Sequence, residues 1–240
     1  MRTILLRIAY DGAAFAGYQR QPADRTVQRE LERALEELHD HPVATIVAGR
    51  TDSGVHATGQ RVSFVSDRDS ISVEDFPAAV NSRLPRDIVA LDAKEVDEGF
   101  HARYDAVSRH YRYKVIVGRF AAPPQRAYAW RIPEMPEIER LNQDAAAFVG
   151  THDFTTFAAK RKDQGTMVRT VLYSRWSARG EELEYAVWAD GFLWRMVRSL
   201  VGTMVERERL RLRGDTPAES IGELIARGDR RHAGTTAPPW

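Results

Sequence analysis

The sequence predicts an α+β protein whose two halves repeat one order of elements. Some stretches alternate apolar and polar residues, as half-buried strands do, and the segments between them carry apolar stripes at helical spacing. These segments follow the order β-α-β-β-α-β in the first half and β-α-β-β-α in the second. The first order is that of a ferredoxin-like domain, in which helices cover one side of an antiparallel sheet. We expect domains at residues 1–100 and 101–240 that form an extended antiparallel sheet.

In the first half, the element ends are marked by turn and capping residues. Residues 3–10 read as a strand that ends at Asp11-Gly12, and Thr26 is a good N-cap for an amphipathic helix. That helix is expected to end near His39. The later elements of this half are expected to be strands at 43–48, 60–66 and 88–96 and a helix that Ser72 caps and Pro85 stops.

The second half repeats the order but lacks a final strand. Its sequence stops at 235–240, Thr-Thr-Ala-Pro-Pro-Trp, before a sixth element, so we expect the last strand of this half to be missing. The predicted elements are a strand at 109–117, an irregular basic segment at 118–131, a helix at 137–149, strands at 166–177 and 183–189, and helices at 192–209 and 218–226.

The amino-acid composition mainly excludes classes of function. Apolar residues make up 43% of the chain, enough for a real core, and the absence of cysteine excludes a disulfide framework and a thiolate nucleophile. No apolar run approaches the roughly 18 residues that suggest a membrane span. Because Arg2 and Arg7 interrupt the first apolar stretch and no cleavage pattern follows it, we expect a cytoplasmic protein.

The distribution of charge is more informative than its total. The net charge is only +1, but residues 101–131 carry seven cations against Asp105, and residues 67–98 carry nine acids against four bases. Only four of the 35 cationic residues are lysine. Arginine suits bidentate phosphate contacts and stacking on bases, although genomic base composition could equally favour arginine over lysine. The clustering favours a nucleic-acid partner.

Residues 48–57, Ala-Gly-Arg-Thr-Asp-Ser-Gly-Val-His-Ala, read as a functional loop after a strand. Arg50 and Asp52 point the same way if the chain is extended, and a neighbouring guanidinium favours the ionised carboxylate that a nucleophile requires. A surface ion pair on a tight turn is the structural alternative. The loop lacks the G-x-S-x-G spacing of a serine hydrolase, a second carboxylate for a glycosidase, and metal ligands beside His56.

Other candidate binding residues carry comparable alternatives. On the strand at 109–117, Tyr111 and Tyr113 share a face with Arg109, which suits base stacking beside phosphate contacts or, alternatively, a β core with exposed charges. His39 and His41 could be metal ligands, but a polar turn explains them. Lys160 and Arg161 lie in a charged loop that could clamp the RNA backbone or simply be solvated. Arg198 lies at the edge of the apolar stripe of a helix, where a cation is partly buried and needs an anion; Asp52 is the candidate.

The loop Arg50-Thr51-Asp52-Ser53-Gly54-Val55-His56-Ala57 resembles the signature of the tRNA pseudouridine synthase A family. Further similar stretches follow the family's order along nearly the whole chain. They are Tyr10-Asp11-Gly12 with Phe15 and Gly17, Thr26-Val27-Gln28, Phe100-His101-Ala102-Arg103, Arg109-His110-Tyr111-Arg112-Tyr113, Asp153-Phe154-Thr155-Thr156-Phe157 and Met196-Val197-Arg198.

The resemblance implies the pseudouridine synthase fold and the isomerisation of uridine to pseudouridine, without metal or cofactor. The tRNA would be modified at positions 38 to 40 of its anticodon arm by a homodimer. Asp52 would be the nucleophile, attacking ribose C1′ or base C6, and Arg198 its counter-ion. Arg50 would fill the space of the flipped nucleotide, and Tyr111 would stack on the uracil. From the charge pattern alone, Arg109, Arg112, Lys160 and Arg161 are candidates for contact with the substrate.

Two other classes of function remain open at this point. The first is a non-catalytic RNA-binding module that kept the fold after losing its last strand. The second is an unrelated nucleoside hydrolase, which the single carboxylate of the loop disfavours.

Overall fold

The computed structural model describes residues 1–159 and 165–239. These residues form two compact units, Met1–Ala106 and Val107–Pro238. Each unit is a layer of helices on one face of a β-sheet, so the predicted α+β fold class is confirmed.

The first unit has the ferredoxin-like order of elements. Its sheet order is β2-β3-β1-β4, with antiparallel pairing throughout, which is the order that the β-α-β-β-α-β pattern predicts. Its elements are β1 (Arg2–Tyr10), a 3₁₀ turn (Gly12–Ala14), α1 (Val27–His39), β2 (Ile46–Val47), β3 (Ala57–Ser66), a 3₁₀ turn (Val73–Asp75), α2 (Phe76–Asn81) and β4 (Ile88–Val96).

The core of this unit follows directly from the period of each element. Helix α1 begins where Thr26 Oγ1 accepts a hydrogen bond from the Arg29 amide, so the predicted N-cap is confirmed. Its apolar stripe packs on the inward side of β1, and α2 covers the same face. Two elements differ from prediction. Strand β2 has two residues because only Ile46 and Val47 pair with β3, and the second helix begins with a 3₁₀ turn at Val73.

The second unit repeats this plan with insertions. Its elements are β5 (Arg109–Val117), α3 (Pro123–Arg126), β6 (Trp130–Ile132), α4 (Ile138–Ala146), β7 (Gly150–Asp153), a 3₁₀ turn (Thr155–Phe157), β8 (Val168–Arg179), β9 (Glu182–Ala189), α5 (Met196–Leu212), α6 (Ile221–Arg227) and a 3₁₀ turn (Arg230–His232). Helices α4, α5 and α6 pack on one face of the sheet.

In the second sheet, an early segment of the unit forms the edge strand beside β5. Its order is β6-β5-β9-β8-β7, so β5, β9 and β8 repeat the arrangement of β1, β3 and β2. Strand β6 flanks β5 where β4 flanks β1, and it pairs parallel to β5 through Val115, Ile116 and Val117. The sequence predicts that residues 118–131 are irregular. They instead contain helix α3 and the start of strand β6. Between α6 and residue 239, the structure describes a 3₁₀ turn and no further strand.

Helix α5 starts later than predicted. The chain reverses at Arg195, which has a left-handed φ of 60°, and the helix begins at Met196 rather than at Phe192. Its inward side includes Met204, which is fully buried and accepts a hydrogen bond at Sδ from the Trp176 indole Nε1, 3.2 Å away. Within the described ranges, no helix combines the length and apolarity that a bilayer crossing requires.

Candidate active site

The loop that carries Asp52 lies between β2 and β3 and is held from several sides. The Tyr10 hydroxyl at the end of β1 lies 2.8 Å from Thr51 Oγ1, and the Tyr18 amide donates to the Thr51 carbonyl at 3.1 Å. The Gln60 side-chain amide donates to the Gly49 carbonyl at 2.6 Å. The residues that precede Asp52 are thereby fixed to the first sheet and to the loop after β1.

A second set of contacts joins the loop to the turn Asp11-Gly12. The Gly12 amide donates to His56 Nδ1 at 3.0 Å, and that nitrogen lies 3.0 Å from Asp11 Oδ1. A Cβ atom at Gly12 would lie 2.1 Å from the Val55 carbonyl oxygen, so only glycine allows this approach. The imidazole of the signature therefore braces the backbone, in a segment without metal-ligand spacing.

Asp52 itself opens a tight turn. Its carbonyl accepts a hydrogen bond from the Val55 amide at 3.2 Å, and its side chain is half-buried. Arg50 is exposed. A carboxylate on a braced turn of this kind is presented in one orientation, which is what positioned chemistry requires.

Strand β5 in the second unit carries Tyr111 on the helix-covered side. The Tyr111 ring packs edge-on against Phe192, with centroids 4.9 Å apart, and remains partly exposed. Tyr113, two residues on, is buried, and burial raises the pKa of its phenol. Arg109 Nη1 donates to the Asp190 carbonyl at 2.6 Å. Tyr111 thus has a supported edge and a partly open surface, as a stacking residue needs.

The opposite face of β5 carries different residues. His110, Trp188 of β9 and Tyr173 of β8 stack in a row with ring centroids 4.7 and 4.6 Å apart. In the next row, Arg112 and Arg175 flank Ala186. Both arginines are exposed, and Arg112 lies 3.7 Å from Glu184. Arg112 is therefore on the other side of the sheet from Tyr111.

Arg198 lies in the first turn of α5 and is partly buried, as its position on the stripe predicted. Its Nε donates to the Ala237 carbonyl at 2.7 Å, and its own carbonyl accepts from the Ala237 amide at 3.0 Å. The Tyr113 hydroxyl donates to the neighbouring Pro238 carbonyl at 2.7 Å. The guanidinium is therefore oriented by the last part of the chain.

The predicted site residues divide between the two units. Asp52 and Arg50 belong to the first, whereas Tyr111, Arg109, Arg112 and Arg198 belong to the second. Lys160 and Arg161 lie outside the described residues.

The two histidines near the end of α1 have non-metal partners. His39 is buried, with its ring nitrogens 2.8 Å from the Leu35 carbonyl and 2.9 Å from Ser66 Oγ. The carboxylate of Asp67, 3.0 Å from His41 Nε2, raises the pKa of that imidazole. Across residues 1–159 and 165–239, no three His, Cys, Asp or Glu side chains are grouped as metal ligands would be.

Sequence reasoning missed the supporting residues of the site. Tyr10, Gly12 and His56 all lie in stretches that resemble the family. Their contacts with the loop, or across it, form only because β1 pairs with β3. The sequence showed Gly12 beside Asp11 and His56 in the Asp52 loop, but it carried no signal that Gly12 and His56 are in contact.

The fold and the braced carboxylate define the class of this protein. Ferredoxin-like units are common in RNA-binding proteins, and a chain with two such units and a single aspartate loop in the first has the pseudouridine synthase fold.

Comparison with known proteins identifies the family. The family described as tRNA pseudouridine synthase matches residues 7–105 and 145–240. The tRNA pseudouridine synthase A of Halalkalibacterium halodurans is 41% identical over 239 residues, which cover 99% of this chain and 89% of the relative. That of Bacillus pumilus is 42% identical over 233 residues, covering 96% and 92% of the two chains. That of Treponema denticola is 39% identical over 243 residues, covering 99% and 89%. The chain belongs to the tRNA pseudouridine synthase family.

Proposed function

We propose that this chain isomerises uridine to pseudouridine in tRNA. The observation that carries the proposal is the half-buried Asp52, held on a loop that β1, β3 and the Asp11-Gly12 turn fix in place. The family to which the chain belongs gives this carboxylate its chemistry.

The reaction is balanced within the substrate. The bond between N1 of uracil and C1′ of ribose breaks, the base turns, and a bond from C5 to C1′ forms. C5 loses a proton and N1 gains one, so no electron leaves or enters. Asp52 acts as the nucleophile in this scheme, at C1′ of the ribose or at C6 of the base.

The other residues act on the position of the target nucleotide and on the charge of the carboxylate. Removing a base from a helix costs a few kcal/mol, and Arg50, which is exposed, occupies the space that the base leaves. Tyr111 stacks on the uracil with its partly open ring. Arg198 serves as the counter-ion of Asp52, and Arg109 contacts the RNA near Tyr111.

The finer features of the substrate and assembly rest on family resemblance. The target uridines are at positions 38 to 40 of the anticodon arm, the protein acts as a homodimer, and it works in the cytoplasm. Lys160 and Arg161, together with Arg112, contact the RNA backbone. The seven cations of residues 101–131 are consistent with an anionic partner.

Replacement of Asp52 by asparagine tests this function. Because the amide is isosteric but not nucleophilic, Asp52→Asn should reduce pseudouridine formation more than about 10³-fold, while the tRNA dissociation constant stays within about threefold. Mass spectrometric mapping of the tRNA measures the product, and filter binding measures affinity. The control is Asp69→Asn, which removes an exposed carboxylate of the same unit and should leave both quantities unchanged.

A non-catalytic RNA-binding module is the second candidate. The row of His110, Trp188 and Tyr173 beside Arg112 and Arg175 favours it, because such a surface can bind RNA without chemistry. Wild-type protein that binds tRNA tightly but forms no pseudouridine would establish the module and exclude the enzyme.

A further inference from the structure

We propose that residues 233–238, called the strap below, are a positioning element for Arg198. This inference rests on the proposed function, since it concerns the counter-ion of Asp52. The strap runs along α5 in the reverse direction, from Thr203 and Glu206 to Arg198. The Gly234 amide donates to Thr203 Oγ1 at 3.0 Å, and the Thr235 amide donates to Glu206 Oε2 at 2.8 Å.

The strap lies so close to α5 that the helix has no room for a side chain at Gly202. A Cβ atom there would lie 1.7 Å from the Thr235 carbonyl oxygen and 3.0 Å from the Ala237 amide nitrogen. Distances this short exclude any residue but glycine unless the strap moves. A helix interior disfavours glycine by about 1 kcal/mol relative to alanine, so its presence has a packing reason.

At its far end, the strap fixes the direction of the Arg198 guanidinium. The single hydrogen on Nε is used by the Ala237 carbonyl, 2.7 Å away. An arginine can bind a carboxylate side-on, through Nε and one Nη, or end-on, through both Nη atoms. With Nε held by the Ala237 carbonyl, Arg198 offers an anion its two Nη atoms, which is the end-on arrangement. The strap therefore selects which edge of the Arg198 guanidinium is presented to an anion.

Arg230 anchors the strap from the side. Its Nη2 donates to Thr236 Oγ1 at 2.8 Å and its Nη1 to the Gly234 carbonyl at 3.3 Å, and partial burial lowers the pKa of this guanidinium. The next residue, Arg231, is exposed and pairs with Asp229, 2.6 Å away. These adjacent arginines provide a matched pair, because only the first contacts the strap in the described residues.

Three variants of the full chain test the proposal: Gly202→Ala, Arg230→Gln and, as control, Arg231→Gln. Hydrogen exchange at the Ala237 amide reports whether the strap has opened. We expect at least tenfold faster exchange in the first two variants. Because misplacement by about 1 Å can cost 10²-fold, their single-turnover rate of pseudouridine formation should fall on the order of 10- to 100-fold with little change in tRNA affinity. Arg231→Gln should match the wild type in all three measurements.

The possible outcomes separate this inference from the proposed function. If the wild type forms no pseudouridine, the proposed function is wrong and the positioning role is wrong with it. If the wild type is active but a variant with an opened strap reacts at the wild-type rate, only the positioning role is wrong. Unchanged exchange at Ala237 would show that Gly202 and Arg230 do not hold the strap. A parallel loss of rate, affinity and melting temperature would indicate a merely structural role. Arg230→Gln keeps the test available if Gly202→Ala does not fold.

Discussion

At the scale of single residues, the Asp52 loop depends on positions where a side chain is absent. Gly12 allows the Val55 carbonyl to approach. Gly17 has a φ of +108°, and a Cβ atom added there would lie 2.9 Å from the Thr51 carbonyl oxygen. Both glycines belong to the segment after β1, not to the loop itself. The orientation of Asp52 is therefore set by residues that are far from it in sequence.

Gly12→Ala tests this dependence. The added methyl group would meet the Val55 carbonyl oxygen at 2.1 Å, so the loop has to shift, at a cost of about 1–3 kcal/mol. Because a misplacement of the carboxylate by about 1 Å can cost 10²-fold in rate, we expect pseudouridine formation to fall about 10²-fold with tRNA binding retained. Quantitative mapping of product in a time course provides the measurement. In Gly59→Ala, the new Cβ would have its nearest neighbour at 3.8 Å, so activity should not change; a comparable loss there would show that the bracing contacts are not the cause.

At the scale of elements, a buried ionic cluster joins α4 to α5. The Asp144 carboxylate accepts hydrogen bonds from Arg207 and Arg211, each at 3.0 Å, and Arg211 also lies 3.4 Å from Glu208. Asp144 and Glu208 are buried. Such a cluster fixes the packing of the two helices, because removal of one partner leaves a cation without its anion in a place that water reaches poorly.

Asp144→Asn should lower the free energy of unfolding of the second unit by about 3 kcal/mol. The amide keeps the shape of the side chain but cannot balance two guanidinium charges. Urea denaturation followed by tryptophan fluorescence measures the change. Glu139→Gln, an exposed substitution in the same helix, should have an effect within about 0.5 kcal/mol, and equal effects of the two changes would contradict the argument.

The elements that were predictable from the sequence are those whose period is visible locally. Alternation placed Tyr111 and Arg112 on opposite faces of β5, and Thr26 marked the start of α1. Strand β6 was not predictable, because three residues carry no period and their pairing with β5 is a long-range contact. The strap was missed for the same reason: it has no regular structure, and its contacts with α5 follow from Gly202, a residue whose role is invisible without coordinates.

At the scale of the whole molecule, the location of charge matters more than its sum. A net charge of +1 gives no general attraction to RNA, but three of the seven cations of residues 101–131, namely Arg109, Arg112 and Lys114, lie on β5. Arg112 is exposed, with its side chain 75% accessible. We therefore expect tRNA affinity to depend on salt through a small number of local contacts.

Arg112→Ala should weaken tRNA binding to a similar degree for different tRNA sequences and reduce the slope of log K against log salt by about 1. The reason is that a phosphate contact releases counterions without reading a base. Binding isotherms at several salt concentrations measure the slope. Arg33→Ala removes an exposed cation of α1 that already pairs with Glu37, at 2.5 Å, and should leave the slope unchanged. An unaltered slope for Arg112→Ala would remove this residue from the RNA contacts.

The contact between Trp176 and Met204 has a chemical consequence for the ageing of this protein. The chain has no thiol to oxidise, so the sulfur atoms open to peroxide are those of its methionines. Met1 is 92% exposed, whereas Met204 is fully enclosed and becomes accessible to an oxidant when the second unit opens. A sulfoxide formed there during such an opening would place a polar oxygen beside the indole and hinder reclosure, so a transient fluctuation would become lasting damage.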